Sequence, residues 1–372
     1  MKILFNNNVL GGLITFRGDV IEHFLAQGHE VILVAPFPDD TSLLDRIPDK
    51  AKYVQVKLER NSVSPFNDLK YLYRLLRIFR SEKPDYVFNY TIKPNIYGSI
   101  ACKFMHIPCT SMLAGLGYSF SHKGIAAKLG RTLYRIALRY SEKVIFLNED
   151  NIKKAKETKL CDTEKIIWLE GGEGVNLDKY AFSDNSAEKT VFLFVARLIR
   201  EKGYFEFVEA ARAIKKIYPD VRFLVAGGLS LTSPGHVTQE EYESNKQEGI
   251  IEHLGSVSDM PKLYGTPGMV VVIPSYYNEG LNRSLMEACS AGKPIITTDM
   301  PGCRETVIDG KNGYLVTPRD VKSLIYALKK YMNLSLKERN DMSLASRKLA
   351  EEKFNVKKVI AVYDSILELT KQ

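Results

Sequence analysis

The chain lacks the features of membrane-spanning and disulfide-stabilised proteins. No apolar run approaches the roughly 20 residues that a helix needs to cross a bilayer, and the opening MKILFNNNVL turns to asparagine too early for a signal peptide. Cysteine is scarce and shows neither CxxC spacing nor a dense framework; the five residues are Cys102, Cys109, Cys161, Cys289 and Cys303. We therefore expect a cytoplasmic protein whose thiols are reduced.

The sequence also lacks the common motifs for metal and dinucleotide binding. It contains no DxD motif and no cluster of histidine and aspartate, so we expect neither a metal nor another cofactor. The turn GGLI departs from GxGxxG and indicates dinucleotide binding only weakly. Although the net charge is +8, no recognised nucleic-acid motif accompanies it. We expect no nucleic-acid partner.

The chain does contain a regular alternation of strands and helices. Its 372 residues exceed the size at which one hydrophobic core keeps growing, which favours two domains. The alternation predicts an α/β protein with two Rossmann-like, doubly wound parallel sheets. The predicted strands are 2–6, 29–36, 85–90, 108–113, 143–148 and 165–170 in the first half, and 190–197, 221–227, 250–255, 269–274, 294–299 and 313–316 in the second.

The domain boundaries are predicted where this alternation stops. Residues 171–189 are rich in turn-forming residues and form the predicted linker. An N-terminal domain then covers 1–175 and a C-terminal domain covers 190–355, while the last helix, 356–372, is expected to return to the first domain. Since such sheets bind ligands at the carboxyl ends of their strands, two sheets that face each other would form a cleft.

Two predicted helices in the first half are strongly basic. Cations recur at three- and four-residue steps along one face of helix 124–141 and again along helix 67–82. This pattern favours an anionic lipid surface as a partner, and the alternative is a solvated face on a packed helix. The cations are Lys128, Arg131, Arg135 and Arg139 in the first case, and Lys70, Arg74, Arg77 and Arg80 in the second.

The stretch SYYNEGLNRSLMEA follows a predicted buried strand and contains two glutamates, Glu279 and Glu287. We predict that a helix begins at Gly280, so that the free N–H groups of Gly280, Leu281 and Asn282 form an anion site. The glutamates lie about 12 Å apart along such a helix. One carboxylate would accept ribose hydroxyls and the other sugar hydroxyls, so the arrangement suits a nucleotide sugar.

A second segment, VARLIREKG, supplies cations at the carboxyl end of another strand. Arg197 ends the strand and Lys202 lies at the start of the next helix. Two cations in this position suit a diphosphate, whose negative charge increases as the sugar departs. Alternatively, Glu279 only stabilises a helix N-terminus and Glu287 is half-exposed, which the combination with Arg197 and Lys202 disfavours.

These motifs resemble the retaining glycosyltransferases of family 4, which have the GT-B fold. Four further segments share the resemblance: PGCRETVIDGKNGYLV, GGLITFRGDVIEHFLAQGHEV, TIKPNIYGSIA and LAGLGYSF. The similarity extends over nearly the whole chain. It is greatest to bacterial enzymes that build capsule, O-antigen or N-glycan precursors on undecaprenyl diphosphate, such as N-acetylgalactosaminyltransferases. The chain departs from this family at two places. Many relatives have proline at the position of Asn282. Relatives also commonly have the residues AD before the strand that leads to the glutamate motif, whereas this chain reads TPGMVVV there.

The resemblance implies roles for individual residues. The family's EX7E motif falls on Glu279, beside the donor sugar, and Glu287, on the ribose, while Arg197 and Lys202 hold the diphosphate. Gly11 and Gly12 approach the donor from the other domain. Two further residues each have alternative roles. His122 either contacts the sugar or is an ordinary loop residue. Arg17 contacts an acceptor diphosphate, holds the nucleotide-side loop or is a surface charge.

The resemblance also implies a reaction. We expect a metal-independent transfer, with retention of anomeric configuration, of a hexose or N-acetylhexosamine from a UDP-sugar to a lipid-diphosphate-linked saccharide. The enzyme would be cytoplasmic and bound peripherally to the inner leaflet through its basic helices. Two alternatives remain open: a nucleotide-sugar epimerase of the same architecture, and a non-catalytic scaffold of polysaccharide assembly.

Overall fold

The computed structural model describes residues 1–59, 64–115, 124–185, 187–229, 235–277 and 280–369, without the side chains of residues 125 and 126. The chain divides into two compact units. The first contains Met1–Glu173 and Lys357–Gln372, and the second contains Gly174–Val356. In the ranges described, no helix is both long and apolar enough to cross a membrane.

The first unit contains a seven-stranded parallel sheet in the order β3-β2-β1-β4-β5-β6-β7. One of these strands, β3, was missed by the prediction, because it lies at a sheet edge, has no fully buried residue and carries no continuous apolar run. The strands are β1 Lys2–Asn6, β2 Glu30–Ala35, β3 Ala51–Gln55, β4 Tyr86–Tyr90, β5 Cys109–Leu113, β6 Lys143–Phe146 and β7 Ile166–Trp168.

Helices cover both faces of this sheet. Because side chains alternate along a strand, Leu4 packs with one helical layer, which includes Leu75, while Phe5 contacts Phe24 on the opposite face. The last helix returns to the Phe24 side, where the Tyr363 ring lies 6.5 Å from that of Phe24. The helices are Leu10–Ala26, Pro65–Glu82, Ser99–Met105, Ile125–Leu138, Glu149–Glu157 and Val356–Leu369, with a π-helical turn at Pro94–Gly98 before the third.

The second unit contains a six-stranded parallel sheet in the order β10-β9-β8-β11-β12-β13. These strands are β8 Val191–Val195, β9 Arg222–Ala226, β10 Glu252–Gly255, β11 Met269–Ile273, β12 Ile295–Thr298 and β13 Gly313–Val316. Its helices are Tyr204–Lys215, Gln239–Gln247, Met260–Tyr264, Arg283–Ser290, Val321–Met332 and Leu336–Leu349, followed by a π-helical turn at Ala350–Phe354. The prediction of two doubly wound parallel sheets is confirmed.

One helix of the second unit is formed by a strongly polar sequence. Gln239–Gln247 has no apolar periodicity, but a capping box at its start stabilises it: the Thr238 side chain accepts the Glu241 N–H, and the Glu241 carboxylate accepts the Thr238 N–H. The segment that follows the unit boundary packs within the second unit, where Val175 N–H donates to Phe354 O over 2.6 Å and Ser290 Oγ donates to Tyr180 O over 2.7 Å.

Candidate functional site

The candidate site lies at the carboxyl edge of the six-stranded sheet, where the strand order reverses. The chain leaves the central strand β8 towards β9 and β10, and then crosses back to place β11 on the other side of β8. In open α/β sheets this reversal creates a crevice, because the loops after the two adjacent strands run in opposite directions. The described parts of these loops are 196–203, 274–277 and 280–282, which contain most of the residues predicted to bind a donor.

Backbone bonds hold these two loops together. The carbonyl of Glu201 accepts the Tyr276 N–H over 2.8 Å and the Ser275 hydroxyl over 3.3 Å. Gly203 follows with φ of +82°, and a Cβ atom there would lie 2.3 Å from Pro274 O. Only glycine satisfies both the left-handed conformation and the close approach. The glycine of REKG therefore fixes the position of the preceding lysine against β11.

The two predicted cations differ in exposure. Lys202 ends a 3₁₀ turn, Arg200–Lys202, and is buried, with its Nζ 5.3 Å from the centre of the Tyr277 ring. Arg197 follows β8 in an exposed position. A buried ammonium beside an aromatic face is a strong electrostatic element, because little water screens it.

The helix after β11 begins later than predicted. It spans Arg283–Ser290, and Asn282 is its N-cap, whose side chain accepts the Leu285 N–H over 3.2 Å. The prediction that the helix begins at Gly280 is wrong, because Asn282 holds a non-helical conformation and its N–H donates to Gly302 O over 2.8 Å. The Asn282 N–H is therefore not free, and the N–H groups without carbonyl partners in the helix are those of its first turn.

Glu287 lies one turn inside this helix and is buried. Its Oε1 accepts Arg283 Nε over 2.9 Å, while the same guanidinium donates from NH1 to Gly174 O over 2.8 Å. No described residue donates to Oε2 of Glu287. The ion pair thus fixes the orientation of the carboxylate and leaves one oxygen available to a ligand.

A buried tyrosine stabilises the same helix. The Tyr264 hydroxyl donates to Ser284 O over 3.0 Å. Burial, with a smaller contribution from the Glu287 carboxylate, raises the pKa of Tyr264 well above its ordinary value. The phenol therefore stays protonated and continues to donate this bond.

The glycines predicted to approach the donor lie in the first unit. Gly11 and Gly12 belong to the first turn of helix Leu10–Ala26, so the prediction that GGLI forms a turn is wrong. A Cβ atom at Gly12 would lie 2.7 Å from Nδ2 of Asn7, which explains a small residue there. Gly11 is tight against Leu43, at 3.3 Å from its Cδ1.

Arg17 is buried in the first unit rather than exposed at its surface. Its guanidinium forms an ion pair with Glu173, donates to Gly12 O over 3.2 Å and lies 4.3 Å from the centre of the Tyr90 ring. Arg17 therefore connects the first helix to Glu173, where the chain leaves the first unit for the second. Glu173 could not be assigned as its partner from the sequence, because 156 positions separate the two.

The predicted membrane-facing cations differ in exposure, and two predicted site residues are not among those described. Glu279 and His122 lie outside the described residues. Lys128 and Arg139 are exposed and Arg131 is half-buried. Arg135 donates to Lys159 O and Thr158 O over 3.1 and 2.9 Å, so its guanidinium caps the end of helix Glu149–Glu157.

Arg283 was missed by the sequence analysis, although its four-residue spacing from Glu287 is the signature of a helical ion pair. Over the residues that the structure covers, no three His, Cys, Asp or Glu side chains are grouped as metal ligands would be.

Comparison with known proteins gives two family matches that together span most of the chain. The family described as "Glycosyl transferases group 1" matches residues 178–349, and "Glycosyl transferase 4-like" matches residues 2–148. Each match falls within one of the two units.

Curated relatives match over most of their own length. The N,N'-diacetylbacillosaminyl-diphospho-undecaprenol alpha-1,3-N-acetylgalactosaminyltransferase of Campylobacter jejuni is 27% identical over 87% of each chain. The UDP-Gal:alpha-D-GlcNAc-diphosphoundecaprenol alpha-1,3-galactosyltransferase of Escherichia coli is 25% identical over 88% of this chain and 86% of its own.

Solved structures share the fold at lower identity. A glycosyltransferase from Rickettsia africae superposes with a TM-score of 0.79 at 18% identity and covers 100% of this chain and 98% of its own. The Anabaena protein HepE, in complex with UDP, superposes with a TM-score of 0.78 at 18% identity and covers 99% of this chain and 100% of its own.

Proposed function

This chain belongs to the group 1, family-4-like glycosyltransferases of GT-B fold, and we propose that it transfers a hexose or N-acetylhexosamine from a UDP-sugar to a saccharide linked to a lipid diphosphate. The names of the Campylobacter jejuni and Escherichia coli relatives both specify an acceptor linked to undecaprenol through a diphosphate. Both relatives align over nearly their whole length, which supports a similar class of acceptor for this chain.

The donor half of the proposal rests on the crevice between β8 and β11. We assign the diphosphate to Lys202, Arg197 and the first turn of helix Arg283–Ser290, because these groups offer positive charge and N–H donors at one sheet edge. We assign a ribose hydroxyl to Oε2 of Glu287, the oxygen that Arg283 leaves open. The remaining prediction, Glu279 beside the donor sugar, follows from the motif alone.

For the chemical step we propose retention without a metal. The leaving diphosphate helps to deprotonate the acceptor hydroxyl, and the bond to the sugar forms on the face from which the diphosphate departs. Lys202 and Arg197 stabilise the negative charge that grows on the leaving group. Trapping a glycosyl-enzyme on a specific Asp or Glu would refute this mechanism.

We further propose that the enzyme works in the cytoplasm while bound to the inner leaflet, because a lipid-linked acceptor is confined to a membrane surface. The basic residues of helices Pro65–Glu82 and Ile125–Leu138, both in the first unit, provide the attraction for anionic lipid.

The test is a panel of UDP- and GDP-sugars incubated with purified protein, with and without a short lipid-diphosphate-linked saccharide. Free nucleotide is measured for the wild type, for Glu287→Ala and for a matched control, Glu240→Ala, an exposed glutamate of the same unit. We expect the wild type and Glu240→Ala to release nucleotide from a UDP-sugar in an acceptor-dependent manner, and we expect Glu287→Ala to lose this release. Conversion of the donor without acceptor would favour an epimerase, and UDP binding without any turnover would favour a scaffold.

A further inference from the structure

Helix Pro65–Glu82 of the first unit has an apolar stripe that faces outward. Its inner side is occupied by Tyr71, Leu75 and Phe79, all fully buried against the sheet. On the outer side Phe66, Leu69 and Tyr73 are 65%, 63% and 62% exposed. They follow three- and four-residue steps and form one continuous row. Three large apolar side chains in two turns are more than a solvated helix face requires.

Cations extend this row and flank it. Arg77 and Arg80 are exposed and continue the same three- and four-residue steps towards the end of the helix. Lys70 is exposed beside the row, and its Nζ lies 4.1 Å from the centre of the Phe66 ring. The outer side of the helix therefore has an apolar row over its first two turns, with Lys70 beside it, and cations beyond them.

The two acidic residues of the helix each form an ion pair with a lysine from elsewhere in the unit. Asp68 is bound by Lys93 Nζ at 2.7 Å and also accepts the Tyr97 hydroxyl at 2.8 Å. Glu82 is bound by Lys52 Nζ at 2.7 Å. Since these acids are matched within the unit, they do not offset the charge of the outer row, which stays positive.

A small polar hollow opens beside the first turns of the helix. Its volume is about 80 Å³, and it is lined by Lys57, Glu59, Asn67, Lys70 and Arg74. Three of its five lining residues are cations, and the Glu59 carboxylate accepts Asn67 Nδ2 at 2.6 Å. The hollow adds positive charge next to the apolar stripe.

We infer that this outer face is the membrane-docking surface of the enzyme: Phe66, Leu69 and Tyr73 insert among the lipid headgroups of an anionic bilayer, and Lys70, Arg77 and Arg80 contact lipid phosphates. The inference deepens the membrane association proposed above and rests on it. It assigns the attachment to apolar insertion as well as to charge.

The exposed area favours a bilayer over a protein partner. Side chains of this kind bury about 150–250 Å² each, so three that are about two-thirds exposed offer on the order of 300–400 Å². A stable protein interface needs roughly 800 Å² from each partner. An amphipathic helix in a lipid interface requires only an apolar row of this width with cations beside it.

The first test measures partition of the full chain onto vesicles of phosphatidylcholine with about one-third phosphatidylglycerol, without substrates. We expect Phe66→Ser/Leu69→Ser/Tyr73→Ser and Arg77→Gln/Arg80→Gln each to lower the partition coefficient at least about tenfold. Two matched controls from the second unit, the exposed pairs Tyr326→Ser/Leu344→Ser and Lys322→Gln/Lys337→Gln, should leave it unchanged. Wild-type partition of the triple-serine variant would overturn the inference.

A second measurement separates insertion from adhesion by charge. The chain has one tryptophan, Trp168, so Phe66→Trp in a Trp168→Phe background gives a single reporter on the helix. We expect a blue shift on vesicle addition and quenching by brominated acyl chains. Binding without either signal would contradict insertion. If the triple-serine variant instead abolishes a dimer in sedimentation and binds vesicles normally, the face is a protein interface and the inference fails.

Transfer assays distinguish this inference from the proposed function. The triple-serine variant should keep wild-type turnover with a water-soluble, short-chain acceptor and lose it with the same saccharide in vesicles. No turnover by the wild type with either acceptor would count against the proposed function, whereas the vesicle measurements would still decide the docking surface.

Discussion

Lys202 has only 7% of its surface exposed, yet its Nζ lies over the Tyr277 ring at the edge of the sheet where β8 and β11 meet. Burial of this kind strengthens the interaction of an ammonium with a nearby anion. A surface lysine would give a weaker interaction, because water and salt screen it.

Replacing Lys202 should therefore affect chemistry more than stability. We expect Lys202→Ala to lower kcat/KM by about 100-fold or more, as the loss of a cation on the leaving diphosphate predicts. Lys216→Ala, at an exposed lysine of the same unit, should stay within about twofold of wild type. Steady-state kinetics with the preferred donor decides this, and near-normal activity of Lys202→Ala would remove the diphosphate assignment.

The pair of Arg283 and Glu287 makes a different prediction, because Glu287 is buried and Arg283 has only 12% of its side chain exposed. Removing one partner leaves the other charge uncompensated, so Arg283→Ala should lower the free energy of unfolding by about 3 kcal/mol. Glu287→Gln should weaken UDP binding because the neutral amide is a poorer acceptor for a ribose hydroxyl. Urea unfolding and titration calorimetry measure the two effects. Wild-type affinity for UDP in Glu287→Gln would contradict the ribose assignment.

At the level of elements, the buried strands could be predicted from the sequence, whereas two polar elements could not. Strand β11, MVVVI, is buried throughout and appears as an uninterrupted apolar run. Strand β3 and helix Gln239–Gln247 carry no such pattern, since one lies at a sheet edge and the other depends on the capping box of Thr238 and Glu241. A local cap, rather than hydrophobic periodicity, therefore defines this helix.

The candidate site could be predicted only in part, for a related reason. Lys202 and Glu287 follow strands in the sequence, so sheet topology alone indicates that they lie at one edge. The start of the following helix depends on the Asn282 cap and on the bond from its N–H to Gly302, 20 residues away. Such tertiary contacts leave no local signal.

The close packing of the loops after β8 and β11 can be tested at Gly203. Its φ of +82° and the 2.3 Å approach of an added Cβ to Pro274 O predict that Gly203→Ala lowers the free energy of unfolding by about 2–3 kcal/mol and also impairs turnover. Gly249→Ala is the matched control, because φ there is +66° but the space around an added Cβ is open. The control should lose only about 1 kcal/mol and keep its activity. Equal effects of the two substitutions would contradict the steric account.

For the whole molecule, the chain's last helix completes the unit in which the chain begins. The Tyr363 ring lies 4.8 Å from that of Phe88, its hydroxyl is 2.9 Å from the Tyr90 hydroxyl, and His23 Nε2 lies 3.0 Å from a carboxylate oxygen of Asp364. The aromatic core of the first unit therefore depends on helix Val356–Leu369.

Tyr363→Ala tests this dependence. Loss of a buried aromatic side chain should lower the stability of the first unit by about 3–5 kcal/mol. Amide hydrogen exchange should accelerate in β1 and β4 while β8 and β11 remain protected. Tyr326→Ala, at a tyrosine that is 70% exposed, should change neither pattern. Equal acceleration in both units would show that the last helix does not belong to the first unit alone.

We propose that this glycosyltransferase adds one sugar to a lipid-diphosphate-linked saccharide with retention. The most direct measurement is the mass and anomeric configuration of the product formed from the preferred UDP-sugar and a synthetic acceptor, by mass spectrometry and NMR. Our account predicts an acceptor extended by one hexose or N-acetylhexosamine, in the same anomeric configuration as in the donor. An unextended acceptor beside a converted donor, or a product of inverted configuration, would contradict it.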